Sequence, residues 1–214
     1  MHKIIVQEVK IDIADFMLLQ YFVFVGAIVQ LIAVFPYVRL MLKGRVKPNR
    51  ISWFMWSIAP IIATAAGISN GVGWAVLPVF MSGFAPLLIF ISSFIVKNAY
   101  WKLSAFDYGC GALSALALIL WALTSNPNVA ITFAIASDGL AAVPTIAKAW
   151  HQPASEDTAP FIAGVFNAGT AFGAITLWTF SAVAFPAYLV FINIAILISI
   201  YFGKPQARSN RKKR

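Results

Sequence analysis

Seven long apolar stretches, separated by short connectors, constrain this chain more than any other feature. They run Phe16–Leu42, Ile51–Ile68, Gly73–Val96, Phe106–Leu123, Val129–Trp150, Pro160–Phe180 and Ala182–Phe202. A bilayer crossing asks for about 20 mostly apolar residues, so each stretch reads as a transmembrane helix. Asn70-Gly71 and Ser125-Asn126-Pro127-Asn128 carry turn chemistry between helices, and the weakest division falls between the sixth and seventh. Composition closes the soluble alternative: 61% of the 214 residues are hydrophobic and 11% are charged. Soluble domains run at about 45–50% apolar and about 25% charged. The expected class is an all-α integral membrane protein with the lipid bilayer as its solvent.

Charge placement tests the helix count. With the N-terminus outside, the inner connectors hold Arg39, Lys43, Arg45, Lys47, Arg50, Lys97, Lys102 and Lys148. The inner tail holds Lys204, Arg208, Arg211, Lys212, Lys213 and Arg214, and only Lys3 and Lys10 lie elsewhere. Cytoplasmic loops carry the Lys/Arg excess, so an odd helix number with the C-terminus inside fits, and an even number does not. Topology therefore accounts for the net charge of +9 without a nucleic-acid partner, and none is expected. The tail could also meet anionic headgroups. Met1–Asp15 mixes lysines with acids and does not read as a secretory signal.

Sliding the chain by 108 residues lays the first three helices on the last three. Pro36 falls on Pro144, Pro78 on Pro186, Trp53 on Phe161, and the polar Gln30 on Asp138. The expected layout is two parallel three-helix repeats joined by a linker helix, related by an axis along the membrane normal. In residues this is an outer segment 1–15, repeat 16–96, linker 97–128, repeat 129–203 and basic cytoplasmic tail 204–214.

This layout resembles the SWEET sugar facilitators and the wider PQ-loop superfamily. The second unit reads Val143-Pro144-Thr145-Ile146, then a loop with Lys148 and Glu156, then Pro160-Phe161-Ile162, with Pro186 opening a last apolar run to Ile200-Tyr201-Phe202. The resemblance implies a seven-helix transporter in which Pro36, Pro144 and Pro160 take three of four family proline positions and act as hinges. Its site residues do not carry over. The proline–glutamine pair is replaced by Pro36-Tyr37 and Pro144-Thr145, and the fourth proline position holds Ser52. Two family asparagine positions hold Val79 and Ala187, and the second unit's pocket tryptophan aligns with Ala174.

Polar residues at membrane depth are the candidates for chemistry. Asp138 lies near the centre of the fifth helix, where a carboxylate is costly and normally faces the bundle interior or a wet cavity. It reads as a proton-coupling group or as an anchor for a cationic or hydroxylated substrate. Its bland alternative is a hydrogen bond to a neighbouring helix. Gln30 holds the matching place in the first helix. Asn167 and Asn193 could line a path or act as interhelical glue, which is worth about 0.6 kcal/mol on average. Trp178 could wall a ring-shaped solute or belong to the interfacial belt, where Trp53 and Trp56 are also expected. Gly169-Thr170-Ala171-Phe172-Gly173 permits close helix approach, inside the bundle or between copies in a homo-oligomer. Pro78 and Pro186 are expected simply to open their helices. Asp107 is expected to pair with Lys102, and Glu156 and Asp157 to be solvated.

One cysteine, Cys110, and two histidines, His2 and His151, give no metal site, no disulfide and no cofactor motif. Nothing resembles a catalytic constellation, so the chain is not expected to be an enzyme. The expected function is movement of a small polar solute (a sugar, amino acid or vitamin) by facilitation or proton coupling in a bacterial inner membrane. The alternative from another class is a non-transporting membrane scaffold or complex subunit.

Overall fold

The computed structural model describes residues 13–95, 101–123 and 126–204. Most of the outer segment, Lys97, and the basic tail beyond Lys204 lie outside the described residues. Within them the chain forms seven α-helices and one short 3-10 turn, with no strand: α1 Ile13–Leu42, α2 Arg50–Ser69, α3 Val76–Ser92, α4 Ala105–Ala122, α5 Pro127–His151, the turn Pro153–Ser155, α6 Ala159–Ala174 and α7 Phe180–Phe202. By length and composition α2, α5, α7 and the Gln20–Leu42 part of α1 can cross a membrane. Helices α3 and α6 have 17 and 16 residues, short of the expected Gly73–Val96 and Pro160–Phe180. The sixth stretch stops early because Ile175 leaves helical geometry for an extended one (φ −72°, ψ 115°).

The surface is apolar as well as the interior. Phe35, Ile95, Leu123, Leu177 and Phe191 are all at least 69% exposed, while Gln30, Asn49, Ser52, Asp138 and Asn167 are at most 6% exposed. A water-soluble fold would bear so much exposed apolar surface only at interaction sites. In lipid this distribution is the expected one, since polar groups must be satisfied inside.

Helix ends are set by local chemistry. The Asn49 side chain accepts from the amides of Ile51 and Ser52 at the start of α2, and Asn126 does the same for Asn128 and Val129 ahead of α5. Ser104 and Asp107 form a reciprocal box at the start of α4, which satisfies amides that the first turn leaves open. Gly44 and Gly71 adopt φ of +68° and +70° and turn the chain after α1 and α2, a conformation that glycine takes at little cost.

Packing is paired. Within the first triplet α3 touches both α1 and α2, and within the second α7 touches both α5 and α6. Between triplets α1 lies on α6 and α2 lies on α5, while α4 leans mainly on α5. Close approaches use small residues. A Cβ on Gly26 would lie 2.6 Å from Thr170 Oγ1, and one on Gly83 would lie 2.9 Å from the Ser57 carbonyl. Gly169, the first glycine of the expected close-approach motif, has nothing within 4 Å and faces outward.

Both ends of the bundle are tied across the triplets. At one end the Lys47 amide donates to the Ser155 carbonyl, and the Trp101 amide, just ahead of α4, donates to the Pro48 carbonyl of the first triplet. The Lys148 ammonium donates to the Lys47 carbonyl at 2.7 Å. At the other end Asn70 Nδ2 donates to Asn128 Oδ1, and the connectors 69–76, 123–129 and 175–180 contain no charged residue. The connectors of the first end are therefore rich in basic residues, and those three connectors of the second are uncharged.

Candidate functional site: a cavity between the two triplets

Every helix except α4 contributes to a cavity in the middle of the bundle. Helix α1 supplies Gln30, α2 supplies Trp53 and Trp56, α3 supplies Ser82 and Pro86, and α5 supplies Asp138. Helix α6 adds Pro160, Phe161 and Gly164, and α7 adds Asn193 among apolar neighbours. About 50 Å³ is open to the centres of water-sized molecules. One water needs about 10–15 Å³ by that measure, so the cavity has room for a few waters.

Asp138 is the charged residue of this lining. It is 3% exposed, and its Oδ2 accepts from the Tyr188 hydroxyl of α7 at 2.7 Å. Its backbone carbonyl accepts from the Trp56 indole at 3.2 Å, a bond between triplets. Gln30 is also buried, and its Oε1 has no hydrogen-bond partner among the described residues. An unpaired buried acceptor of this kind costs free energy until a water or ligand meets it. Gln30 and Asp138, Trp53 and Phe161, and Trp56 and Gly164 are each 108 residues apart, and all six residues face this one space.

The other expected site residues divide. Asn193 lines the cavity; its Nδ2 donates to the Leu189 carbonyl of its own helix, and its amide group packs on Gly164. Asn167 is fully buried away from the lining and donates from Nδ2 to the Pro78 carbonyl at 2.9 Å. There it acts as a lock between α6 and α3. Trp178 lies outside the cavity in the α6–α7 connection, 69% exposed and stacked on Phe172. The early end of α6 puts it there. Helices α1 and α5 continue through Pro36 and Pro144. Pro160 instead sits in the first turn of α6, where the missing amide proton breaks no helical bond, so it starts a helix and does not interrupt one. Pro186 lies well inside α7 and does not open it.

Trp53 and Trp56 belong to the interior and not to the expected interfacial belt. They are 2% and 7% exposed and pack edge to face with centroids 5.2 Å apart. Phe161 stands 6.2 Å from each. Nothing in the sequence distinguishes them from interfacial tryptophans, because they lie within two turns of a helix start.

Two further buried carboxylates lie at the basic end. Asp107 accepts from Asn49 Nδ2 at 2.5 Å, the Ser104 amide at 2.7 Å and the Ser104 hydroxyl at 2.6 Å; these partners replace the expected Lys102. Glu156 is 7% exposed, not solvated. It forms an ion pair with Lys148 and accepts from the Tyr37 hydroxyl at 3.0 Å. Asp157 accepts from the Ala159 amide at the start of α6. A wider pocket, about 230 Å³ by the same measure, opens beside Asp107, Pro144, Lys148 and His151. Its buried charges already have protein partners, so the central cavity is the stronger candidate.

The chain matches no family model, no curated protein and no solved structure.

Proposed function

We propose that this protein is an integral membrane transporter that moves a small polar solute by alternating access around the central cavity. The observation that carries this reading is the cavity itself: polar groups from both triplets, Asp138 and Gln30 first among them, converge on one space in an otherwise apolar bundle. Solute sites of many transporters lie near the bilayer midplane at a repeat interface. All seven helices then cross the bilayer as a SWEET-like arrangement of two parallel triplets joined by α4. The paired packing of α1 on α6 and α2 on α5 supports this, as does the cavity lining matched at 108 residues. Pro36 and Pro144 serve as hinges. The basic end faces the cytoplasm of a bacterial cell and the N-terminus lies outside, in keeping with the charge bias of membrane loops. Motion is driven by the solute gradient or by protons.

The test is uptake of labelled sugars, amino acids, amines and vitamins into proteoliposomes, with and without an inward proton gradient. Flux of at least one solute above empty liposomes is expected. Asp138→Asn abolishes it, or removes its pH dependence, at unchanged folded yield. Absence of flux for every solute, from folded and inserted protein, overturns the reading in favour of a scaffold.

A further inference from the structure

Taking the transporter reading's cavity as the binding site, we propose that its ligand is a small organic cation bearing an ammonium group. The first argument is charge balance. Asp138 is the charged residue of the lining, and no Lys, Arg or His shares the cavity among the described residues. Its side-chain partner is the neutral Tyr188 hydroxyl. The other two buried carboxylates are met inside the protein, Glu156 by Lys148 and Asp107 by three neutral donors at a helix start. A buried carboxylate with a single neutral donor and no cation is costly, and a positively charged ligand supplies what the protein withholds.

The second argument is the walls. Trp53, Trp56 and Phe161 all line the cavity, with centroids 5.2 to 6.2 Å from one another. Ring faces attract ammonium groups that come within about 6 Å of a centroid, tryptophan most strongly. A ligand in van der Waals contact with the face of any one of these lining rings is within that reach.

The third argument separates an organic from an inorganic cation. A hard ion such as calcium takes six or more oxygens. The lining offers side-chain oxygens at Asp138, Gln30, Ser82 and Asn193 only, with aromatic and aliphatic side chains elsewhere. An N–H or a polarised N-methyl group needs one carboxylate, one amide acceptor and rings. The unpaired Gln30 Oε1 provides that acceptor. The small cavity volume admits a compact head of few atoms; a longer substituent would follow the path opened by rocking.

Isothermal titration of the full chain in nanodiscs tests this with methylammonium, tetramethylammonium and choline. The control is choline's uncharged isostere, in which carbon replaces the quaternary nitrogen. At least one cation is expected to bind about tenfold or more tighter than the isostere, a difference of about 1.4 kcal/mol. Asp138→Asn, which keeps an acceptor for Tyr188, is expected to erase that preference. Trp56→Leu is expected to weaken cation binding by about two- to thirtyfold, the span of one cation–π contact. If that variant fails to fold, Trp56→Phe gives a smaller loss of the same sign. Binding of every cation no tighter than that of the isostere, or a preference that survives in Asp138→Asn, overturns the proposal. So does binding of none of the cations. The two readings fail separately: uptake of neutral solutes without cation binding leaves a transporter of another substrate class, whereas Asp138-dependent cation binding without any flux leaves a cation site in a protein that does not transport.

Discussion

Asp138 and Glu156 are both carboxylates buried in one bundle, and they meet opposite surroundings. Glu156, at the basic end, has an ammonium from Lys148 and a hydroxyl from Tyr37, and Lys148 in turn donates to the Lys47 carbonyl. Glu156, Lys148 and Tyr37 thus all have partners from the chain. Asp138, at mid-bundle, has one neutral hydroxyl, open space, and an unpaired amide oxygen on Gln30 among its neighbours in the lining. The first arrangement holds connectors together. The second leaves binding capacity unused, which is what the proposed solute site requires.

The largest effect expected from breaking this contrast lies at the basic end. Lys148→Met leaves Glu156 buried and uncompensated, and such removals cost about 3–5 kcal/mol. Thermal unfolding in detergent should show a clear loss of stability, and adding Glu156→Gln should recover most of it. A stability loss no smaller in the double variant would mean that Lys148 acts through packing and not through charge.

A smaller pair of changes sharpens the contrast. Tyr37→Phe removes a hydroxyl donor from Glu156, and Tyr188→Phe removes one from Asp138. Hydrogen bonds to charged groups are worth about 1.5–3 kcal/mol, so Tyr37→Phe should lower stability by up to that amount and leave transport kinetics largely as they are. Tyr188→Phe should change stability less, because the cavity lets water take the lost place, and should alter the KM of flux more than Tyr37→Phe does. The reverse ranking, read from unfolding and uptake of the same preparations, would place the functional carboxylate at the basic end.

The positions of the seven helices were legible because apolar length is a coarse signal that lipid imposes directly. The end of α6 was not, since Ile175, Leu177 and Trp178 are apolar and only backbone geometry shows that the helix has stopped. That error also carried Trp178 into the candidate site. Asp138, Gln30 and Asn193 stood out because polar groups are rare at that depth, and they meet in one cavity. Asn167 stood out for the same reason, but it lies off the lining and its Nδ2 is held by the Pro78 carbonyl; rarity alone does not separate glue from lining. Trp53, Trp56 and Ser82 were hidden because their roles depend on which helix lies opposite. Glu156 was hidden because its pairing depends on the fold of a connector, and adjacent acids in a polar loop look solvated.

Access to the cavity is the most direct test of the account. Single cysteines at Gln30→Cys and, as a control, Ser114→Cys are placed in a chain whose buried Cys110 is replaced by alanine. Ser114 is fully buried against Ser137, away from the cavity. Sealed vesicles of known orientation are then treated from either face with a membrane-impermeant thiosulfonate. Gln30→Cys is expected to react from both faces in turn, more slowly when the transported solute is present, while Ser114→Cys reacts from neither. A Gln30→Cys protein that stays unmodified from both faces, while folded and inserted, would contradict the account and leave a packed membrane scaffold.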